Sequence, residues 1–397
     1  MLGVVWLCLL GPPSLRGNAR VIARRTWVPK ALPKAFSVYN HITTIPKFVN
    51  QFLGGVLDKK NATINDVARR AGVSITTVSR ILNNKPDVAP ATRQRVLEVI
   101  QALNYIPHAQ AQNLAAGRSR SVALLYPSES MGFSEMEFEF FVGCAQAAAK
   151  AGFLFNLVVN TMTERELMSL FRGSQVDGVI LMEIHLHDWR VDLLRDHGYP
   201  FVLIGRCQDN AGLSFIDVDF EYAMMMACEH LVSLGHRDIG FINLTGSPRE
   251  RDYGPAVRSQ WGYEQACARY QSPFIYRDAL PTIDALSAAA GDLLDTHPSL
   301  TALITLHGGS LVGIMRATEK RGLVVPDDLS VVGIVTDQMA QLITPPLTAV
   351  SFPARVMGSR AMQMLIRKLR DGTYKDRHVI LKPPLVARES TGPARQE

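Results

Sequence analysis

Residues 65–84 read NDVARRAGVSITTVSRILNN, two short apolar stripes joined through a single Gly-Val. Just ahead, Thr63 stands three residues before Asp66, the spacing of a side-chain box that caps a helix start. Ile64, Val67, Ala68 and Ala71 then recur at i, i+3, i+4 and i+7, the period of one helical face. Gly72 ends that run, since glycine enters the left-handed region without steric cost. Ser74 caps a second helix that turns Val78, Ile81 and Leu82 inward. Pro90 opens a third, with Val96, Val99, Ile100 and Leu103 on its inner side. Three short helices about one small core, the first two meeting at a glycine, make a helix-turn-helix over residues 61–106.

The outer side of the second helix sets this bundle apart from an ordinary one. Ser74, Ile75, Thr76, Thr77, Ser79 and Arg80 are compact donors and small apolar groups with no acid among them. Short hydroxyls let a helix approach phosphates closely, and an arginine fork matches O6 and N7 of guanine. Residues 1–60 carry nine Lys/Arg against one acid, and residues 61–120 eight against three. The remaining 277 residues carry 25 against 32, so a basic front precedes an acidic body. That asymmetry points to a polyanion as the partner of the front only, and the outer face of the second helix makes double-stranded DNA the expected one.

Two stretches, TINDVARRAGVSITTVSRILNN and VAPATRQRVLEVIQALNYIPHAQAQNLAAGRS, carry a resemblance that runs without a gap from Thr63 to about Arg118. They look like the DNA-binding region of the lactose/galactose repressor (LacI/GalR) family. The resemblance implies that Ile75 and Thr76 select bases and that Arg80 reads a guanine. It assigns phosphates to Thr63, Ser74, Thr77, Ser79, Asn83 and Thr92. Residues 107–118 correspond to the family's hinge helix, with Ala111 beginning the matched Ala-Gln-Asn-Leu and Leu114 wedged into the minor groove. The family usually has Asn where this chain has His108. On physical grounds alone the segment is about two and a half turns, too short to be a stable helix by itself. It is expected to order only when DNA and a second copy hold it. A wedge such as Leu114 unstacks bases and gains a bent, more enclosed duplex.

From Ser121 onward the pattern changes to apolar runs alternating with amphipathic stretches. SVALLYP, FLFNLVV, DGVILME and PFVLIG form one set of strands, and DIGFINL, TALITL and LSVVGIV a second. Buried parallel strands with crossover helices are expected, and two sets imply an α/β core of two lobes over residues 119–397. Ligands of open parallel sheets sit at the carboxyl ends of strands, so facing lobes enclose a cleft. EHLVSLGHRDIGFI, GLVVPDDLSVVGI, TPPLTAVSFPARVMG and PPLVARES resemble the same family's effector-binding core, which is similar to type I periplasmic sugar binders. By that analogy the chain crosses between lobes near Asp217, Ser351 and Arg377, and the core forms a homodimer.

The ligand-touching landmarks are where the chain departs from its family. His307-Gly308 replaces an Asn-Asp, and Gly333-Ile334-Val335-Thr336 replaces Gly-Phe-Asp-Asp, putting valine where a carboxylate grips sugar hydroxyls. An arginine is displaced, with Arg258 four residues before Gly262-Tyr263. Phe133, Arg206, Asp219, Arg258, His307 and Asp337 are the candidate effector contacts. Either Asp337 or Asp219 supplies the missing carboxylate to a neutral sugar, or His307 and Arg258 select a sugar acid or phosphate.

No GxSxG, HExxH, P-loop, GxGxxG or metal-spaced Cys/His set is present, which argues against an enzyme, a metal site or a bound cofactor. Five cysteines without CxxC spacing read as reduced thiols in a cytoplasmic protein. No apolar run reaches the length of a membrane-spanning helix. MLGVVWLCLL at the front lacks the basic flank of a signal peptide. Residues 1–60 stand as a basic extension, either a disordered tail or sequence ahead of a true start near Val56, the second being favoured. The resulting expectation is a repressor-type regulator that reads a near-palindromic operator under control of a small molecule, a carbohydrate or sugar derivative. An exported solute-binding protein of the type I sugar-binder class is the alternative.

Overall fold

The computed structural model describes residues 62–82, 85–105, 119–127, 135–244, 252–306, 308–371 and 377–395. The chain divides into two compact units, residues 1–106 and 107–397.

In the first unit α1 is Ile64–Ala71, α2 is Ile75–Leu82 and α3 is Pro90–Ala102. The Thr63 hydroxyl accepts the Asp66 N–H at 3.3 Å while the Asp66 carboxylate accepts the Thr63 N–H at 3.0 Å. Two of the helix's orphan donors are thereby satisfied. Gly72 takes φ 65°, returning its N–H to the last turn of α1. Ser74 begins the next helix by accepting the Thr77 N–H at 3.1 Å. Val67, Ala68, Ala71, Val78, Ile81, Val96 and Tyr105 form the core, with Ile64, Leu82, Val99, Ile100 and Leu103 packed partly buried around it. Tyr105 is an addition to the inward set read from the sequence.

The second unit contains two six-stranded sheets. The first lobe holds β1 (Ser121–Leu125), β2 (Leu154–Val158), β3 (Gly178–Leu181), β4 (Phe201–Ile204) and β5 (Phe215–Val218), with β11 (His378–Leu381) at its edge. Its order is β11-β5-β4-β3-β1-β2, every pair parallel. Helices α4 (Glu135–Lys150), α5 (Glu164–Arg172), α6 (Trp189–Asp196) and α12 (Ala354–Asp371) belong to it. The second lobe holds β6 (Ile239–Leu244), β7 (Ile275–Ala279), β8 (Ala302–Thr305), β9 (Ser330–Val335), β10 (Thr348–Ser351) and β12 (Leu385–Val386). Here the order is β12-β10-β9-β8-β6-β7, parallel except for β12. Helices α7 (Phe220–Ser233), α8 (Gly254–Tyr270), α9 (Ile283–Thr296), α10 (Gly308–Glu319) and α11 (Asp337–Leu342) surround it. Central strands β1, β3, β4, β8 and β9 are buried along their whole length, because helices cover both faces of a parallel sheet.

The chain crosses between lobes three times: from β5 into α7, from β10 into α12, and between β11 and β12. The third crossing differs from the expected Arg377. Residues 378–381 pair in parallel with β5 and stay in the first lobe, so the crossing falls at Lys382–Pro384. Backbone bonds tie the crossings together, Asp219 N–H to Leu381 O at 2.8 Å and Ser351 N–H to Pro384 O at 2.9 Å.

Candidate DNA-reading face and interlobe cleft

Helix α2 turns Val78 and Ile81 into the core, which leaves its opposite side to water. Ser74, Ile75, Thr76 and Arg80 are exposed, and Thr77 and Ser79 are half-buried. Ile75 is 48% exposed, an unfavourable place for a β-branched apolar group unless a partner covers it. The Ser74 and Thr77 hydroxyls lie 2.9 Å apart. Arg80 forms an ion pair with Asp87. Thr63, exposed, and Thr92, half-buried in the first turn of α3, stand at two further helix starts. The positive dipole ends of α1 and α3 suit phosphate. Asn83, Ala111 and Leu114 lie outside the described residues.

A cavity of about 100 Å³ lies between the two lobes at the carboxyl ends of their strands. The first lobe contributes Glu137 and Phe140 from α4, Met182 and Glu183 after β3, and Asp217 from β5. Tyr253, Pro255 and Ala256 around the start of α8 face them from the second lobe. Phe220 and Phe352, both on crossings, close the wall between. Glu183 has φ 53°, a left-handed conformation that a side chain adopts only when its surroundings impose it. Its carbonyl accepts Arg190 Nη2 at 2.8 Å, and Arg190 is held by Asp188 at 2.6 Å. The Tyr253 phenol is raised well above its ordinary range, first by burial and then by the neighbouring Glu183 carboxylate, to which it is hydrogen-bonded. Burial pushes the Asp217 carboxyl up to about 6, against the opposing pull of Arg206 and Arg258.

Several expected contacts have other duties. Arg206 lies 3.5 Å from Asp217 and 3.6 Å from Glu221, and Arg258 donates to the Cys207 carbonyl at 3.0 Å. Neither arginine lines the cavity, and no lysine or histidine among the described residues does. Asp219 caps α7 by accepting the Tyr222 N–H at 3.0 Å. Asp337 pairs with Arg388 and bonds Gln341 at 2.6 Å. Phe133 and His307 lie outside the described residues. Val335 is fully buried among the second lobe's apolar side chains, and Thr336 caps α11 and bonds Glu135 of the first lobe.

A second tie joins the lobes beside the cavity. Leu186 N–H donates to Asp252 O at 2.8 Å and Gly254 N–H to Ile184 O at 3.0 Å. His185 Nδ1 lies 2.9 Å from Asp252 Oδ1, and the His187 N–H donates to Asp252 Oδ2 at 3.2 Å. Gly254 has no room for a side chain, since a Cβ would sit 2.9 Å from Ile184 O.

Residues 63–108 match the family described as bacterial regulatory proteins, lacI family, and residues 228–391 a periplasmic binding protein-like domain. Catabolite control protein A of Priestia megaterium is 30% identical over 341 residues, covering 83% of this chain and 99% of that protein. The chain belongs to the LacI family. Like its relatives it is a DNA-binding regulator of transcription with an effector-binding core. The HTH-type transcriptional regulator CelR of Thermobifida fusca is 30% identical over 346 residues, covering 84% of this chain and 99% of that one. Among solved structures, a CelR–cellobiose complex aligns with a TM-score of 0.62 and 28% identity over 83% of this chain and all of that one. The lac repressor dimer bound to operator and an anti-inducer aligns at 0.72 with 24% identity, over 84% and 100%. That last likeness concerns the fold. Among the described residues no helix is long and apolar enough to cross a membrane.

Within this LacI-family core, Glu137, Glu183 and Tyr253 are the polar groups that the sequence reading passed over. One signal was available for Glu183: it directly follows the buried strand in DGVILME, where a parallel strand hands its next residues to a cleft. Nothing comparable marked Glu137, an acid inside a helix rich in acids.

Proposed function

We propose that the chain acts as a homodimeric repressor whose two α2 helices enter successive major grooves of a near-palindromic operator. Ile75 and Thr76 select bases and Arg80 exchanges Asp87 for a guanine, while Thr63, Ser74, Thr77, Ser79, Asn83 and Thr92 hold phosphates. Ala111 and Leu114 place the hinge segment in the minor groove. The observation that carries this reading is an outward α2 face with Ile75 and Arg80 in solvent and no acid on the helix. Footprinting of DNA selected from a random pool tests it. Two half-sites related by a two-fold axis are expected, and a single unpaired footprint sinks the dimer.

The effector we assign to the interlobe cavity is a neutral carbohydrate. Glu137 and Glu183 supply acceptors for hydroxyls, in place of the Asp219 or Asp337 suggested by the sequence. The rings of Phe140, Phe220 and Phe352 offer apolar faces for sugar C–H groups. Described lining residues that include acids and no cation disfavour a sugar acid or phosphate. The cellobiose of the CelR complex makes glucosides the first probes. Calorimetric titration of the full chain with cellobiose, glucose, gluconate and glucose 6-phosphate decides the matter. Binding confined to the two anions overturns the neutral choice, and no heat with any saccharide removes the carbohydrate altogether.

A further inference from the structure

We propose that Asp177 is a positioning residue that fixes how the segment from the DNA-binding unit joins the effector core. This rests on the reading of the chain as a DNA-binding dimer. The described core begins at Ser119, two residues ahead of β1. There the Asp177 carboxylate accepts three donors: the Ser119 N–H at 2.6 Å, the Ser119 hydroxyl at 2.9 Å and the Arg120 N–H at 2.8 Å. Backbone bonds close the same corner, Asp177 N–H to Ser121 O at 2.7 Å and Leu154 N–H to Arg120 O at 2.8 Å. Arg120 itself has φ 52°, a conformation a non-glycine residue keeps only under constraint.

Packing leaves one side of that corner open. A cavity of about 370 Å³, lined by Arg120, Phe153, Asp177 and Tyr199 among others, opens beside the corner. The charge-assisted bonds to both carboxylate oxygens join the backbone bonds in supplying the constraint, and they are directional. An asparagine offers one such oxygen and turns a donor toward a donor. Asp177 also sits immediately before β3, the strand whose far end passes into Met182 and Glu183 of the effector cavity. One short buried strand therefore runs from the cavity wall to the point where the chain joins the core.

The test uses full-length protein and duplexes that it selects from a random-sequence pool. Asp177→Asn is expected to weaken binding about tenfold, the scale of a lost charged hydrogen bond. Tolerance to one base pair added or removed between half-sites should rise, with base preference inside each half-site unchanged. Ser119→Ala removes one of the three donors and keeps the carboxylate, so a smaller loss of the same kind is expected. It carries the test if Asp177→Asn fails to fold. Uniform loss at every spacing, or no loss in either variant, overturns the anchor. Failure of the wild-type chain to select any duplex sinks the DNA-binding reading and the anchor with it.

Discussion

Arg80 is held by Asp87 on one side and open to solvent on the other, so its guanidinium is placed but not buried. Replacing it with alanine is expected to cost about 1–3 kcal/mol and relax preference at one base pair per half-site. Binding to a set of single-base operator variants checks this, and equal loss for every variant refutes it. Asp217 is the residue whose chemistry the fold changes most legibly. Its carboxyl titrates near 6 rather than 3.8 because burial penalises the charge. The folded core thus holds the proton more tightly than the unfolded chain. The stability this gives is complete below about pH 4 and is lost as pH rises through about 6, roughly 3 kcal/mol in all. As pH rises from 4 to 7 the melting temperature of wild type should fall relative to that of the non-titrating Asp217→Asn, with no further relative change above that window. Parallel curves throughout would contradict the shift. Residue chemistry on α2 was readable because its compact donors and Arg80 fall within seven consecutive residues, around the buried Val78. The cavity was not, since Glu137, Glu183 and Tyr253 meet only after two lobes have closed on each other.

Helices α4 and α12 cross so closely that each gives a glycine to the contact. A Cβ at Gly143 would strike the Arg355 carbonyl, and one at Gly358 the Phe140 carbonyl, both backbone groups that cannot rotate aside. Gly358→Ala should therefore destabilise the core by about 1–3 kcal/mol or more, the range for overpacking. Sugar affinity should fall as well, because α4 and α12 carry Phe140 and Met357 into the cavity wall. Thermal denaturation and calorimetry on one preparation test both, and an unchanged melting temperature would refute the close crossing. The seven strands expected from apolar runs all appear, since central parallel strands need apolar side chains on both faces. Strands β7 and β11 escaped notice for the converse reason. At a sheet edge, Tyr276, Arg277 and Asp278 keep one side toward water and break the run. Strand β5 was overlooked because Asp217 interrupts an otherwise apolar FIDV.

The two lobes are joined by three crossings and by the His185–Asp252 tie, so their separation is hinged and latched. Asp252→Ala removes the carboxylate and leaves the backbone bonds of the latch intact. Sugar dissociation, followed by stopped-flow, should accelerate several-fold, about 1 kcal/mol for the lost pair. An unchanged rate would show that the latch does not gate the cavity. The two-lobed plan was legible from the alternation of strands and helices, yet the third crossing was misplaced by a few residues, because HVIL looks like a tail and pairs as a strand. The lateness of α12, β11 and β12 in chain order has a further consequence, one of timing. The first lobe needs α12 and β11, and the second needs β12 and the segment in which Ser390 bonds Val331 and Thr348 and Gly392 bonds Ser330. The three helices of the DNA-binding unit require nothing beyond Tyr105 among the described residues. During synthesis that unit can fold while most of the core is still unmade, as amino-terminal domains generally do. Neither lobe is complete until residues 378–392 have left the ribosome. A nascent chain thus finishes its DNA-reading fold before it finishes its sensor.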